Sequence, residues 1–161
     1  MPLISRNYSL VLHNIRSVHN VGSIFRSADA AGISRIILSG YTPGPLDRFG
    51  NPRKDFTKVS LGAEKSVPWI QKKTIASVLK ELKKENCFLV AVEQDARSTS
   101  LFDFQAPNKP LAVVMGNEVR GVSPQVLKQC DAIVEIPMRG KKESLNVSVA
   151  AGIALFTLLH K

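Results

Sequence analysis

From Val147 onward the chain reads Val-Ser-Val-Ala-Ala-Gly-Ile-Ala-Leu-Phe, apolar or small on nearly every side of a helix. Such a helix has to be buried on more than one side, which restricts the folds open to a chain of 161 residues. Just upstream, residues 132–136 (Ala-Ile-Val-Glu-Ile) have the β-branched, apolar character of a buried strand. Pro137 has no N–H for a sheet ladder, so the strand should stop there. Residues 138–143 form a short basic loop, and Ser144 and Asn146 are both natural N-caps for a helix starting near Val147. A polar, glycine-containing loop therefore lies between two buried elements, where a strand ends and helix N–H groups are free. Open α/β sheets bind ligands at such points.

The rest of the chain repeats the alternation. Residues 9–13 (Ser-Leu-Val-Leu-His) read as a first strand, and Asn20 can cap a helix running to about Ala31, with Gly32 as its C′ residue. Val21, Ile24, Phe25 and Ala28 recur at helical spacing and should face the sheet, with Arg26 off that stripe. Arg35–Ser39 completes a strand–helix–strand unit, which favours a parallel sheet. Residues 40–55 are rich in Gly and Pro and long for a structureless loop, so they are either functional or mobile; Arg48, Arg53 and Lys54 there could meet phosphates. A short helix over 58–66, an extended piece over 68–71 and an amphipathic helix opened by Thr74 follow, the last with solvated Lys80, Lys83 and Lys84. Strands are expected over 87–92 and Leu111–Met115, with Leu101, Phe102 and Phe104 tucked onto the core between them. Ser123 and Pro124 have the N-cap and N1 pattern of a short helix. The whole reads as one domain, residues 1–161, of α/β class with a mainly parallel sheet of about five or six strands.

Charge narrows the partner. Twenty-two Lys and Arg against 13 Asp and Glu leave a formal net charge of +9, which suits a polyanion, nucleic acid before membrane. Cys87 and Cys130 make no disulfide framework and read as small core residues beside strands. No signal-peptide stretch and no membrane-length apolar run is visible, so a cytoplasmic protein is expected.

Familiar sites fail on inspection. Residues 116–121 have phosphate-loop spacing, but Val122 stands where the lysine should be. No Gly-x-Gly-x-x-Gly follows the first strand and no Gly-x-Ser-x-Gly occurs. His13, His19 and His160 show no metal-ligand pattern, so no metal is expected. Three polar stretches remain, 14–26, 116–121 and 137–146, each just after a strand and so at the carboxyl edge of a parallel sheet. Charged or polar groups beside buried elements are costly unless used or paired, which singles out Arg26, Glu118 and Asn146. An Arg26–Glu118 ion pair is the structural alternative.

The same three stretches resemble the three motifs of the SPOUT superfamily, in its TrmH (SpoU) branch of RNA ribose methyltransferases. The first is Asn20-Val-Gly-Ser-Ile-Phe-Arg26-Ser-Ala-Asp-Ala, the second Met115-Gly116-Asn-Glu118-Val-Arg-Gly121, the third Ile136-Pro137-Met138 followed by Ser144-Leu145-Asn146-Val-Ser-Val-Ala. They occur in the family order and frame nearly the whole chain.

The resemblance implies helices on both faces of the sheet, a deep C-terminal trefoil knot and S-adenosyl-L-methionine bound within it. The implied cofactor contacts are Val92, Gly116, Ile136, Met138, Ser144 and Leu145, many through backbone, and a bulky side chain at 116 should fill space the cofactor uses. The implied catalytic and supporting residues are Asn20, Arg26, Glu118 and Asn146, with Arg26 assigned to the ribose 2′-hydroxyl. A homodimer with its site completed across the interface is implied too, and the apolar final helix agrees with it. The expected activity is RNA 2′-O-ribose methylation of tRNA or rRNA; a SPOUT base methyltransferase or a non-catalytic RNA-binding module of this fold is the alternative. Many relatives add an RNA-recognition segment at one end. Here substrate choice is expected to rest on the basic faces of the catalytic dimer.

Overall fold

The computed structural model describes residues 7–161. Seven strands form one sheet: β1 (Tyr8–His13), β2 (Arg35–Ser39), β3 (Trp69–Lys72), β4 (Phe88–Val92), β5 (Thr99–Ser100), β6 (Leu111–Met115) and β7 (Ala132–Glu135). Their order is β3-β2-β1-β6-β4-β7-β5, and every pair is parallel. The helices are α1 (Val18–Ala31), α2 (Lys54–Ser60), α3 (Ala63–Ser66), α4 (Ile75–Lys84), α5 (Pro124–Gln129) and α6 (Val147–Leu159).

Side chains alternate across a strand, and here both sets are apolar because both faces are covered. Leu10, Leu12, Ile36, Leu38, Val113 and Met115 share one core with Ile24 and Phe25 of α1, Phe56 of α2 and Leu155 of α6. Val11, Ile37, Leu89, Val114 and Ile133 share the other with Val78 and Leu82 of α4 and Val126 of α5. The β1–β6 register, Leu10 opposite Val113 and Leu12 opposite Met115, keeps each set on its own face. Phe25 meets Phe56 edge to face at 5.0 Å, joining α1 to α2.

Several expectations are corrected. The first helix begins two residues before Asn20, because Ser17 is the N-cap and its hydroxyl accepts from the Asn20 N–H at 3.1 Å. Asn20 is thereby inside the helix, and its side chain turns inward. The helix expected over 58–66 starts earlier and divides into α2 and α3, since Leu61 adopts a left-handed φ of 51°. Residues 40–55 are built rather than structureless. Thr42 is buried, Asp47 Oδ1 accepts from the N–H groups of Phe49 and Asn51, and Leu46 bridges Pro52. Arg53 pairs with Asp55 at 3.2 Å, so its charge is already answered within the chain. Leu101 is fully buried and Phe104 stacks on Phe88, but Phe102 points outward, 54% exposed.

The seventh strand, β5, lies in a stretch that reads as polar loop. It forms because β7 offers it an edge, with Thr99 opposite Val134 and Ser100 opposite Glu135. β7 is thus inserted between β4 and β5, so the last strand closes among strands laid down earlier. α6 then packs on α1. The two cysteines are free. Burial, with Asp131 nearby, pushes the Cys130 thiol up to about 11, as expected of an inert core group.

Leu12 is fully buried on the central strand β1. Leu12→Ala should lower unfolding free energy by about 2–5 kcal/mol, from lost transfer and the cavity left behind. Urea unfolding should show a lower midpoint at unchanged slope.

Candidate active site

In a parallel sheet all the strand ends of one kind meet at one edge. β1 ends at His13, β6 at Met115, β4 at Val92 and β7 at Glu135, and the three polar stretches leave from there. The chain reverses its direction of travel across the sheet between neighbouring β1 and β6, the position at which open sheets form a crevice.

Glu118, on the loop after β6, crosses that crevice. Its carboxylate accepts from the Arg16 N–H at 3.1 Å and the Ser17 N–H at 3.0 Å, at the N-terminus of α1. It also accepts from Asn20 Nδ2 at 3.3 Å. Asn20 Oδ1 in turn accepts from Asn146 Nδ2 at 3.2 Å, and Asn146 Oδ1 caps α6 through the Ser148 N–H at 2.8 Å. The three stretches are thus joined by one run of side-chain hydrogen bonds, Glu118 to Asn20 to Asn146. Burial would raise the Glu118 carboxyl. The N–H groups of Arg16, Ser17, its own residue and Asn20 outweigh it and hold it below the ordinary 4.5.

The loop over residues 116–121 is a closed turn. Asn117 and Gly121 exchange backbone hydrogen bonds at 3.2 and 2.9 Å. A Cβ on Gly116 would lie 2.4 Å from the Gly121 carbonyl oxygen, so the loop itself demands glycine there. This corrects the expected reason for Gly116: the space a side chain would take belongs to the loop's own backbone. Glu93, just past β4, supports the turn from beneath by accepting from the Val122 N–H at 2.8 Å. Asn117 ties the turn outward, with its Nδ2 donating to the Asn14 carbonyl at 2.9 Å.

Between this turn and the residues after β7 lies a cavity of about 320 Å³, within the range of small-ligand sites. Val92, Gly116, Ile136, Met138, Ser144 and Leu145 all line it, together with Glu118. Met115, Val147 and Ala150 extend its apolar side, while Glu93, Glu118, Glu135 and Glu143 outnumber its one basic lining residue, Arg120. Gln94 Nε2 donates to the Glu143 carbonyl at 2.7 Å and so ties the basic loop to the end of β4. Glu93, Gln94 and Asn117 were not singled out from sequence. Their position one or two residues beyond a strand end was the available signal.

Arg26 is placed elsewhere. It lies exposed on the outer side of α1, beside a shallow concavity formed with His19, Ser23, Ser27, Lys58 and Phe156. It makes no ion pair among the described residues, so the Arg26–Glu118 pair is not formed. Within one chain the structure brings together Asn20, Glu118 and Asn146 but not Arg26. Among the described residues no group of three His, Cys, Asp or Glu could hold a metal ion, and no helix is long and apolar enough to cross a membrane.

The sequence model of the SpoU rRNA Methylase family matches residues 7–156. The 23S rRNA (guanosine-2′-O-)-methyltransferase RlmB of Salmonella typhi is 38% identical over 161 residues, 100% of this chain and 63% of its own length. Thus the chain spans less than two thirds of the length of that curated relative. Among solved structures, the AdoMet-bound rRNA methyltransferase from Sinorhizobium meliloti matches with a TM-score of 0.85 at 28% identity, covering 94% of this chain and 55% of that one. The A. aeolicus TrmH/SpoU tRNA modifying enzyme matches with a TM-score of 0.81 at 27% identity, covering 95% and 74%.

A carboxyl held below its ordinary value stabilises the fold above that value and ceases to do so as pH falls through the lowered one. The stability difference between wild type and Glu118→Gln should therefore be full at neutral pH. It should begin to shrink below 4.5, the ordinary carboxyl value, and close as Glu118 protonates. Urea unfolding of both proteins across that range checks this; a pH-independent difference would refute it.

Proposed function

We propose that this chain, which belongs to the SpoU rRNA methylase family, transfers a methyl group from S-adenosyl-L-methionine to a ribose 2′-oxygen of RNA. The observation that carries the reading is the hydrogen-bonded run Glu118–Asn20–Asn146, which starts at a cavity-lining residue and unites the three family motifs. The names of the relatives agree: a guanosine-2′-O-methyltransferase of 23S rRNA, a structure with AdoMet bound and a tRNA modifying enzyme. A net charge of +9 suits an RNA substrate, tRNA or rRNA, which this chain would modify in the cytoplasm.

The residues present suit the cofactor. Ile136, Met138 and Leu145 supply an apolar wall, the backbone of Gly116 lines the cavity, and Ser144 adds a hydroxyl. Glu93, Glu135 and Glu143 favour a cationic ligand. Held by these residues, S-adenosyl-L-methionine would supply an electrophilic methyl group carried on a positively charged sulfur, with a neutral thioether as the leaving group and the proton of the 2′-hydroxyl released to solvent.

Each polar residue has a physical part. Glu118, saturated by N–H donors and lowered in pKa, is a poor base and serves to fix the loop against α1. Asn20 and Asn146 hold the entrance to α6 in register with that loop. Arg26 acts on the substrate. Its planar fork carries only N–H donors, so its part is to orient the hydroxyl and a neighbouring phosphate by charge-assisted hydrogen bonds.

For Arg26 to do so, a second copy of the chain must bring it, since in one chain it lies on the outer face of α1. Such a homodimer would pack through α1 and α6. Phe156 and Val149 of α6 are 45% and 50% exposed, apolar surface that a partner would cover. Light scattering should report twice the monomer mass. Phe156→Glu should give a folded monomer without transfer activity, because an unpaired charge is costly to bury. A fully active monomer would refute the shared site.

Transfer from labelled cofactor to total tRNA and rRNA, followed by alkaline hydrolysis, tests the activity itself. A 2′-O-methyl removes the nucleophile of alkaline cleavage, so label should survive in alkali-resistant dinucleotides. Label on labile mononucleotides would mean base methylation instead. Arg26→Ala should abolish transfer with cofactor affinity near wild type, and Arg26→Lys should restore little because it lacks the planar fork.

A further inference from the structure

The loop after β2 carries an aromatic ring that the methyl-transfer reading leaves unused. Tyr41 is 58% exposed, yet it is held at both ends. Its backbone N–H donates to Asn14 Oδ1 at 3.3 Å, and its hydroxyl accepts from Asn117 Nδ2 at 3.1 Å. Asn117 also lines the cavity, so the ring stands beside the cavity's mouth.

The backbone around it is specialised. Asn14 is a non-glycine residue with a left-handed φ of 55°, and Gly40, at 63°, enters that region without steric cost. A Cβ at Gly40 would lie 1.9 Å from the Asn14 Oδ1 that receives Tyr41. Thr42 is buried, with its hydroxyl shared among Leu12, Ile15 and Ser39. Strain of this kind persists where surrounding contacts over-determine it, and it clusters at functional sites. Burial of Thr42 accounts for part of this turn but not for the fixed ring, which faces solvent.

We infer that Tyr41 is a stacking platform for a nucleobase of single-stranded RNA, next to the ribose offered to the cavity; this rests on the methyl-transfer reading. A ring already fixed has little freedom left to lose when a base stacks on it. Arg16 and Arg120 are exposed on the same rim, since their backbone N–H groups bond Glu118 and Asn117. Aromatic faces flanked by positive charge are how single strands are held without reading sequence. Phe49, 74% exposed beneath the Arg48 guanidinium at 4.7 Å, is tied through its backbone N–H to Asp47 but has no hydroxyl to fix its ring, so the inference is specific to Tyr41.

The probe is a single-stranded oligouridylate carrying one 2-aminopurine, whose fluorescence is quenched on stacking. Wild type should bind and quench it. Tyr41→Leu should bind about ten-fold more weakly without quenching, the scale of one stacked base. It should retain wild-type calorimetric affinity for the demethylated cofactor, which shows the cavity intact. Tyr41→Trp should restore quenching, which a merely structural hydroxyl would not allow. Equal binding and quenching by wild type and Tyr41→Leu would overturn the inference, as would failure of wild type to bind the probe. In either event, methyl transfer by wild type to total RNA would leave the proposed activity standing, so the two readings fail separately.

Discussion

The carboxylate of Glu118 on the N-terminus of α1 is the contact on which the site depends. A helix start leaves N–H groups without partners, and an acid from a neighbouring strand end is a low-cost way to satisfy them. Here that acid arrives from the loop after β6, while the helix follows β1. One interaction therefore caps a helix, fixes a loop and spans the crevice between two central strands. Asn20 extends it to Asn146, and through it to the N-terminus of α6.

The parallel sheet makes this possible. Because every strand runs the same way, four strand ends deliver their loops to one edge. Core packing on both faces holds those ends at fixed spacing, so short polar side chains suffice to bridge them. Loop geometry then does the fine work. Gly116 lets the turn fold back on its own Gly121 carbonyl, and Glu93 closes it from below.

Charge is distributed to match. The chain as a whole is strongly basic, which favours a polyanion at long range. In the cavity lining glutamates outnumber the single arginine, Arg120, which favours a small cation at short range. A methyl donor carrying a sulfonium and an RNA strand would thus be drawn to different parts of one surface.

Much of this was legible in the sequence. β-branched runs ended by Pro137 or Gly116 marked strands, and Ser123, Thr74 and Asn146 marked helix starts, because these are local properties of a few residues. Motif order pointed to Glu118, Asn146 and the cavity wall. Other features had no local signal. Asn20 looks like a cap, but Ser17 takes that place and frees Asn20 to turn inward. β5 exists only because β7 offers an edge. Gly116 is required by a carbonyl five residues away, and Glu93 by an N–H on another loop. Arg26 shares a motif with Asn20, yet six residues of helix carry it to a different face. Sequence alone determined which elements form and which chemical groups they carry, since both follow from neighbouring residues. Which groups meet was decided by tertiary structure, because strand order and helix rotation bring together residues that no sequence interval relates.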